Sequence, residues 1–301
     1  MNVVMEQCPL VSFVVLAYNQ ADYIEEAICG ALSQTYGNME IIVSDDCSQD
    51  DTYARAHRVL ANYDGDKKTY LYRNGNNMGL IPHINKILTE YVHGDYIALA
   101  GGDDISLPER VEDTVAEFSK DDTVMAVCGQ SIVIDAHGNV LDKRRYGSGL
   151  WRIDESYIRD LSFMTCGYGL SFRQNDVFTA FGVLEKETPT EDSTLRFRAL
   201  LRGKIKVSDR FYIKYRKHDG SLTNKIYELK TKYIAKQYET DLAKALSLKL
   251  IDGRLYGRLV KKIRIYYINR YLAEKKRGKH IVLRAPIRIA QNLNKLFLKW
   301  I

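Results

Sequence analysis

The amino-acid sequence predicts an α/β protein with a Rossmann-like N-terminal half, a more mixed second half and a basic helical extension. Three observations predict it. Apolar β-rich runs alternate with helix-period stretches over the first hundred residues. Polar residues mark the carboxyl ends of those runs. Helical signal, dense in Lys and Arg, takes over from about Lys225.

Val11 to Ala17 (VSFVVLA) is apolar on both faces of the pleat and reads as a fully buried strand. From Asp22 to Gln34, the apolar residues Ile24, Ala27, Ile28, Ala31 and Leu32 fall on one side of a helix. Glu40 to Ser44 (EIIVS) is the next strand, Asp51 to Tyr63 the next helix and Thr69 to Tyr72 a short strand. Ile81 to Val92 is a third helix, and Asp95 to Ala100 (DYIALA) a strand that stops at Gly101 and Gly102. This β-α-β-α-β-α-β order, with right-handed crossovers, makes a parallel sheet whose ligands collect at the carboxyl ends of the strands. Beyond Pro108 the pattern predicts a helix to about Ser119, a strand Val124 to Val127, and a hairpin-like segment Ser131 to Asp142 turning at His137, Gly138 and Asn139. A Gly-rich stretch Cys166 to Phe172, a helix Ser193 to Leu201, a strand Ile205 to Val207 and the run Phe211 to Tyr215 complete the second half.

The 301 residues allow about two domains in one body, and 46% hydrophobic with 27% charged residues and 5 Pro excludes a disordered or fibrous chain. Cys8, Cys29, Cys47, Cys128 and Cys166 are odd in number and form no CxxC pair, so they are expected to be reduced thiols and not a disulfide framework or a structural zinc site. No apolar run reaches the roughly 18 residues that cross a bilayer. The run Leu10 to Ala17 is short and follows Glu6 instead of a basic stretch, so a cytoplasmic protein is expected. Charge is segregated: residues 225–301 carry +15 and the first 224 residues carry −9. An acidic body with a basic appendage suits an anionic partner, either membrane lipid or nucleic acid.

Three strand ends finish in polar groups: Tyr18 and Asn19, then Asp45 and Asp46, then Asp103 and Asp104. The topology should bring them together. Acid pairs repel a phosphate directly, but they suit a divalent cation that bridges carboxylate and diphosphate, or the donor groups of a nucleoside. The first βα turn lacks GxGxxG and no GxxxxGK[ST] occurs, which argues against dinucleotide-binding dehydrogenases and P-loop enzymes. Each residue also has a plainer role open to it: acids at strand ends cap helices, Asp192 stands at a helix start, and Asn77 and Gly79 can simply shape a loop.

The run VSFVVLAYNQADYIEEAICGALSQTYGNMEIIVSDDCSQDDT, then NNMGL, GDYIALAGGDDISLPER, PTEDSTLRFRALLRG and YRKHDGS, resembles the GT-A glycosyltransferases of family 2 over about residues 9 to 221. The resemblance implies a GT-A fold, a Rossmann-like mixed sheet flanked by helices. Residues 1–108 would form the nucleotide-sugar-binding half, 109–224 the acceptor-binding and catalytic half of the same domain, and 225–301 the basic amphipathic helical region. It also implies that Tyr18 stacks on the base, that Asp45 binds the pyrimidine with Asn19, Asp46, Asn77 and Gly79 nearby, and that Asp103 and Asp104 hold Mg²⁺ or Mn²⁺. Asp192 is the implied catalytic base, with Glu191 as the fallback. The first acid of the DxD-type motif is Gly101 here, a departure that removes one carboxylate from the site. His218 is a further candidate metal ligand, and Arg216 and Lys217 are candidates to assist the leaving diphosphate.

The expected reaction is inverting transfer from a UDP- or dTDP-sugar to a hydroxyl of a glycan or lipid-linked oligosaccharide, as in assembly of bacterial surface polysaccharide such as O-antigen. Within the tail, Arg284, Arg288, Lys295 and Lys299 fall on one helical stripe and Ile289, Leu293, Leu296 and Trp300 on another. Such a helix suits the cytoplasmic face of the inner membrane; packing of the apolar stripe on the body is the alternative, but the +15 excess is larger than packing requires. Two other classes compete. A sugar nucleotidyltransferase would need a glycine-rich basic loop after the first strand, and AYNQADY offers none. A nucleic-acid-binding module would leave the acid pairs without a role.

Overall fold

The computed structural model describes residues 8–154, 167–188, 190–220 and 231–277. Among the described residues ten strands form one sheet, ordered from edge to edge as Lys68–Arg73, Met39–Asp45, Val11–Ala17, Tyr96–Gly101, Tyr168–Arg173, Val124–Ile134, Lys204–Arg216 and Ile105–Ser106, with Val140–Arg144 on the sixth of these and Gly149–Trp151 on the seventh. The first half follows the expected alternation: β1 (Val11–Ala17), α1 (Ile24–Leu32), β2 (Met39–Asp45), α2 (Thr52–Ala61), β3 (Lys68–Arg73), α3 (Leu80–Glu90) and β4 (Tyr96–Gly101). β1 lies between β2 and β4, parallel to both, with Ala17 opposite Asp45 and Leu16 opposite Gly101.

The second half is built from β5 (Ile105–Ser106), α4 (Arg110–Lys120), β6 (Val124–Ile134), β7 (Val140–Arg144), β8 (Gly149–Trp151) and β9 (Tyr168–Arg173). A π-helical turn (Gln174–Thr179), α5 (Glu191–Arg202) and β10 (Lys204–Arg216) follow. β9 runs antiparallel to β4 and to β6, so β6 and the parallel β10 point the same way as β1, β2 and β4. The carboxyl ends of all five therefore share one edge of the sheet.

The sequence and the structure differ in several places. Val124–Val127 and the start of the expected hairpin are one continuous strand, β6, and its turn to β7 lies at the expected residues. Ile205–Val207 and Phe211–Tyr215 are likewise one strand, β10, interrupted by a register shift between Val207 and Phe211. A bulge breaks the period-two pattern and makes one strand look like two. The Gly-rich stretch contains β9, which glycines obscure in sequence because they weaken strand propensity.

Each face of the sheet carries its own apolar layer. Ile24, Ala27 and Ile28 of α1 pack with Phe13, Val15 and Ile41, together with Val111 and Phe118 of α4. On the other face Ile84 and Ile87 of α3 and Leu195 and Phe197 of α5 meet Val14, Ile42 and Ile97. Fully burying one such side chain stabilises the fold by about 1.5–3 kcal/mol. Gly30 allows α1 to approach β5, because a Cβ there would lie 2.9 Å from the backbone N and O of Ser106.

Among the described residues the C-terminal region forms two helices, α6 (Thr231–Ser247) and α7 (Gly253–Arg277), whose Tyr238, Leu242, Leu259, Ile263 and Tyr267 join the α3–α5 layer. A buried ion pair, Arg198–Asp241 at 3.0 Å, ties α6 to α5. The stripes expected over Arg284 to Ile301 lie outside the described residues. Among the described residues Cys8, Cys29, Cys47 and Cys128 form no disulfide, and Cys166 lies outside the described residues.

Candidate active site

The two turns that leave β2 and β4 are both anchored on the end of β1. Asp46 N–H donates to Ala17 O at 2.9 Å, and Gly102 N–H donates to Leu16 O at 2.8 Å. Tyr18, Asp45 and Asp103 thus stand beside one another along the sheet edge. Tyr18 is 43% exposed, so its ring is open to a partner. Asn19 sits at φ +52° and its side chain serves the backbone: its Oδ1 accepts from Gln49 N at 2.8 Å while its own N–H donates to Ser48 Oγ at 2.8 Å.

Asp45 is buried and accepts from Ser48 N at 3.0 Å, from Ser48 Oγ, and from Arg73 Nε at 3.3 Å. Arg73 Nη2 also donates to Ser48 O at 2.9 Å, so the same guanidinium fixes both the carboxylate and its turn. Asp46 points the other way. Its Oδ1 accepts from Asn74 Nδ2 at 2.8 Å and Met78 N at 2.9 Å, and its Oδ2 accepts from Gly79 N at 2.8 Å. Asn77 Oδ1 shares the Gly79 N–H at 2.9 Å. Gly79 takes φ +82°, which lets the loop turn into α3. Asp46, Asn77 and Gly79 therefore come together as the framework of one loop.

At the end of β4, Asp103 Oδ2 faces His218 Nε2 at 3.0 Å, and the His218 ring packs on Tyr23 with centroids 4.7 Å apart. Asp104 Oδ1 accepts from Arg216 N at 2.9 Å. Burial, reinforced by the charge of Asp103, holds the Asp104 carboxyl well above the usual carboxylate range. The Arg216 guanidinium is buried and donates to Asp103 O at 3.0 Å, Ala136 O at 3.1 Å and Glu26 Oε2 at 2.6 Å. It braces the turn from behind, whereas Lys217 is exposed.

For a divalent cation, Asp103 and His218 present an oxygen and an imidazole nitrogen 3.0 Å apart, a pair that suits Mn²⁺ or Mg²⁺. Asp104, the adjacent candidate, already accepts from Arg216 N through Oδ1. Among the described residues, no three His, Cys, Asp or Glu side chains are grouped to hold a metal by themselves. Two protein donors fit a cation that takes its remaining ligands from diphosphate and water.

The second acidic group lies in the first turn of α5, after Thr190 in extended conformation. Asp192 pairs with Arg196 Nη1 at 3.0 Å and accepts from Ser193 N at 2.6 Å. Arg196 is nearly buried and donates to Gly167 O at 3.0 Å, so it fixes where the Asp192 carboxylate sits. Burial pushes the Glu191 carboxyl up to about 7, and the charge of Asp192 acts in the same direction.

Sequence reasoning missed Ser48, Arg73, Glu26 and Arg196. Arg73 closes β3 as Asp45 closes β2, and the two stand opposite each other in the β2–β3 register. That shared position was the available signal. Glu26 gave none, since its partner lies 190 residues away.

A family model described as glycosyl transferase family 2 matches residues 12–179, and the chain belongs to that family. Its fold is the GT-A fold. An uncharacterized glycosyltransferase of Haemophilus influenzae is 33% identical over 149 residues, 49% of this chain and 45% of that protein. The chain thus spans less than half the length of that relative. Staphylococcus aureus TarS in complex with UDP-GlcNAc superimposes with TM-score 0.65 at 17% identity, covering 87% of this chain and 72% of that one. The mannosyltransferase PcManGT of Pyrobaculum calidifontis, in complex with GDP-Man and Mn²⁺, gives TM-score 0.55 at 14% identity over 97% of this chain and 80% of that one. At these identities the two structures share the fold alone.

Proposed function

We propose that this glycosyltransferase is an inverting enzyme that moves a hexose or deoxyhexose from a UDP- or dTDP-sugar to a hydroxyl of a glycan or lipid-linked oligosaccharide. The observation that carries the reading is the Asp103–His218 pair at 3.0 Å, on the same sheet edge as the exposed Tyr18 ring and the Asp45 carboxylate. Uracil or thymine stacks on Tyr18, and Asp45, which keeps lone-pair capacity beyond its Ser48 and Arg73 contacts, accepts the pyrimidine N–H. Asp103 and His218 would hold Mg²⁺ or Mn²⁺. When bound, the cation neutralises charge on the departing diphosphate.

In the transfer step the acceptor oxygen forms its bond to the anomeric carbon as the bond from that carbon to the diphosphate breaks. The electron pair leaves with the diphosphate, and the acceptor proton passes to Asp192, giving inversion by single displacement. Arg196 keeps Asp192 in place for that transfer. A solved neighbour with a UDP-sugar and another with GDP-Man and Mn²⁺ support a nucleotide-sugar donor and a metal, without selecting the base.

The resemblance to enzymes of bacterial surface polysaccharide synthesis supports a glycan or lipid-linked acceptor, and the basic α6–α7 region supports a peripheral position on the inner membrane. Among the described residues no helix is long and apolar enough to cross a membrane. The test is thermal-shift screening of nucleoside diphosphates and their sugars with and without Mn²⁺. Stabilisation by a uridine or thymidine diphosphate that requires the metal supports the reading, and indifference to the whole panel overturns it. Asp192→Asn should keep that stabilisation and lose transfer by at least about 100-fold; turnover within about tenfold of wild type would place the base elsewhere.

A further inference from the structure

We infer that the outward face of α7, together with the α6–α7 turn, is a docking surface for anionic lipid. The inference rests on the peripheral-membrane part of the proposed function and is independent of the transfer chemistry. Leu259, Ile263 and Tyr267 point into the protein. At 100° per residue, Arg254, Arg258, Lys261, Ile265 and Ile268 fall on the opposite side. Arg254, Arg258, Lys261 and Ile268 are exposed, and the stripe is about 21 Å long at 1.5 Å per residue. Lys244, Leu248 and Lys249, also exposed, extend it around the end of α6.

The sign of the charge sets this face apart from an ordinary solvated helix. From Lys244 to Ile268 the sequence holds seven Lys and Arg and one acid, Asp252. That carboxylate accepts from Leu255 N at 2.7 Å at the start of α7. The acids of α6 are already engaged: Glu239 pairs with Arg264 at 2.7 Å, and Asp241 is buried against Arg198. A one-sign surface repels itself and gains free energy by meeting a surface of opposite sign.

Two classes of polyanion offer that sign, and the apolar residues decide between them. Leu248 and Ile268, each 39% exposed, sit within the basic patch. A lipid interface accepts aliphatic side chains below its headgroups, whereas a nucleic-acid backbone rewards basic, polar or aromatic groups and offers aliphatics nothing.

The full-length chain is sedimented with phosphatidylcholine vesicles containing roughly a third phosphatidylglycerol, and with phosphatidylcholine alone. It should pellet with the first only and be released by high salt. Lys249→Gln/Arg254→Gln/Lys261→Gln removes three exposed charges at about fivefold each, so affinity for the anionic vesicles should fall about 100-fold. Stabilisation by UDP with Mn²⁺ should be unchanged in this variant, which separates failure of the docking face from failure of the donor site. Equal binding by the triple variant overturns the inference and puts the contact elsewhere, and a wild-type chain that ignores both vesicles overturns it outright. Retention on RNA without retention on vesicles would overturn it in favour of nucleic acid.

Discussion

Asp45–Asp46 and Asp103–Asp104 are the same dipeptide at the same kind of place, the carboxyl end of a parallel strand beside β1. They are wired in opposite ways. Asp46 is enclosed by three donors of the loop that starts α3, and Asp45 by Ser48 and Arg73. Among the described residues the β4 pair has no such enclosure: Asp103 meets a histidine, and Asp104 a single backbone N–H. The first pair spends most of its acceptor capacity on fixing two loops, while Asp103 turns its Oδ2 to His218. A carboxylate's role is set by the donors around it, and two identical letters at matching positions do not imply matching work.

That contrast is open to direct attack. The largest effect is expected from Asp103→Ala, which should lower kcat/KM at least about 1,000-fold and abolish metal-dependent stabilisation by the nucleotide, with little change in thermal unfolding of the free protein. A loss of fold instead would place Asp103 with the structural acids. Asp46→Ala should do the reverse. It strands the Asn74, Met78 and Gly79 donors and should cost about 2–3 kcal/mol in denaturant unfolding, a figure that full stability in the variant would refute.

Glu191 sharpens the comparison with a third kind of acid, one whose desolvation outweighs the nearby Arg196 charge and backbone N–H groups. Its folded carboxyl titrates at about 7 against 4.5 for the free group, so the folded state binds a proton that the unfolded state has lost across that window. Stability contributed by this group therefore falls as pH rises from about 4.5 to about 7. Glu191→Gln should remove that fall, and parallel stability–pH curves for the two proteins would show the carboxyl is not desolvated. The smallest effect is expected from Gly101→Asp. The new Cβ would lie 2.7 Å from Asp103 Oδ1, a side-chain tip that can turn, and the added carboxylate should tighten Mn²⁺ binding only a few-fold by calorimetry.

The α/β class, the strand-helix alternation of the first half and the positions of both acid pairs were legible in sequence, because buried parallel strands are continuous apolar runs and helices repeat every 3.6 residues. Local periodicity alone determined those elements. The placement of β9 between β4 and β6, the junction of two apolar runs into β10 across its bulge, and the meeting of Asp103 with His218 across 115 residues were decided only by the tertiary structure. Each depends on pairings between distant segments, and hydrophobic periodicity reports which side of an element is buried without saying which partner buries it. The same holds for the site: the sequence supplied the acids, and the fold decided which donors surround each of them.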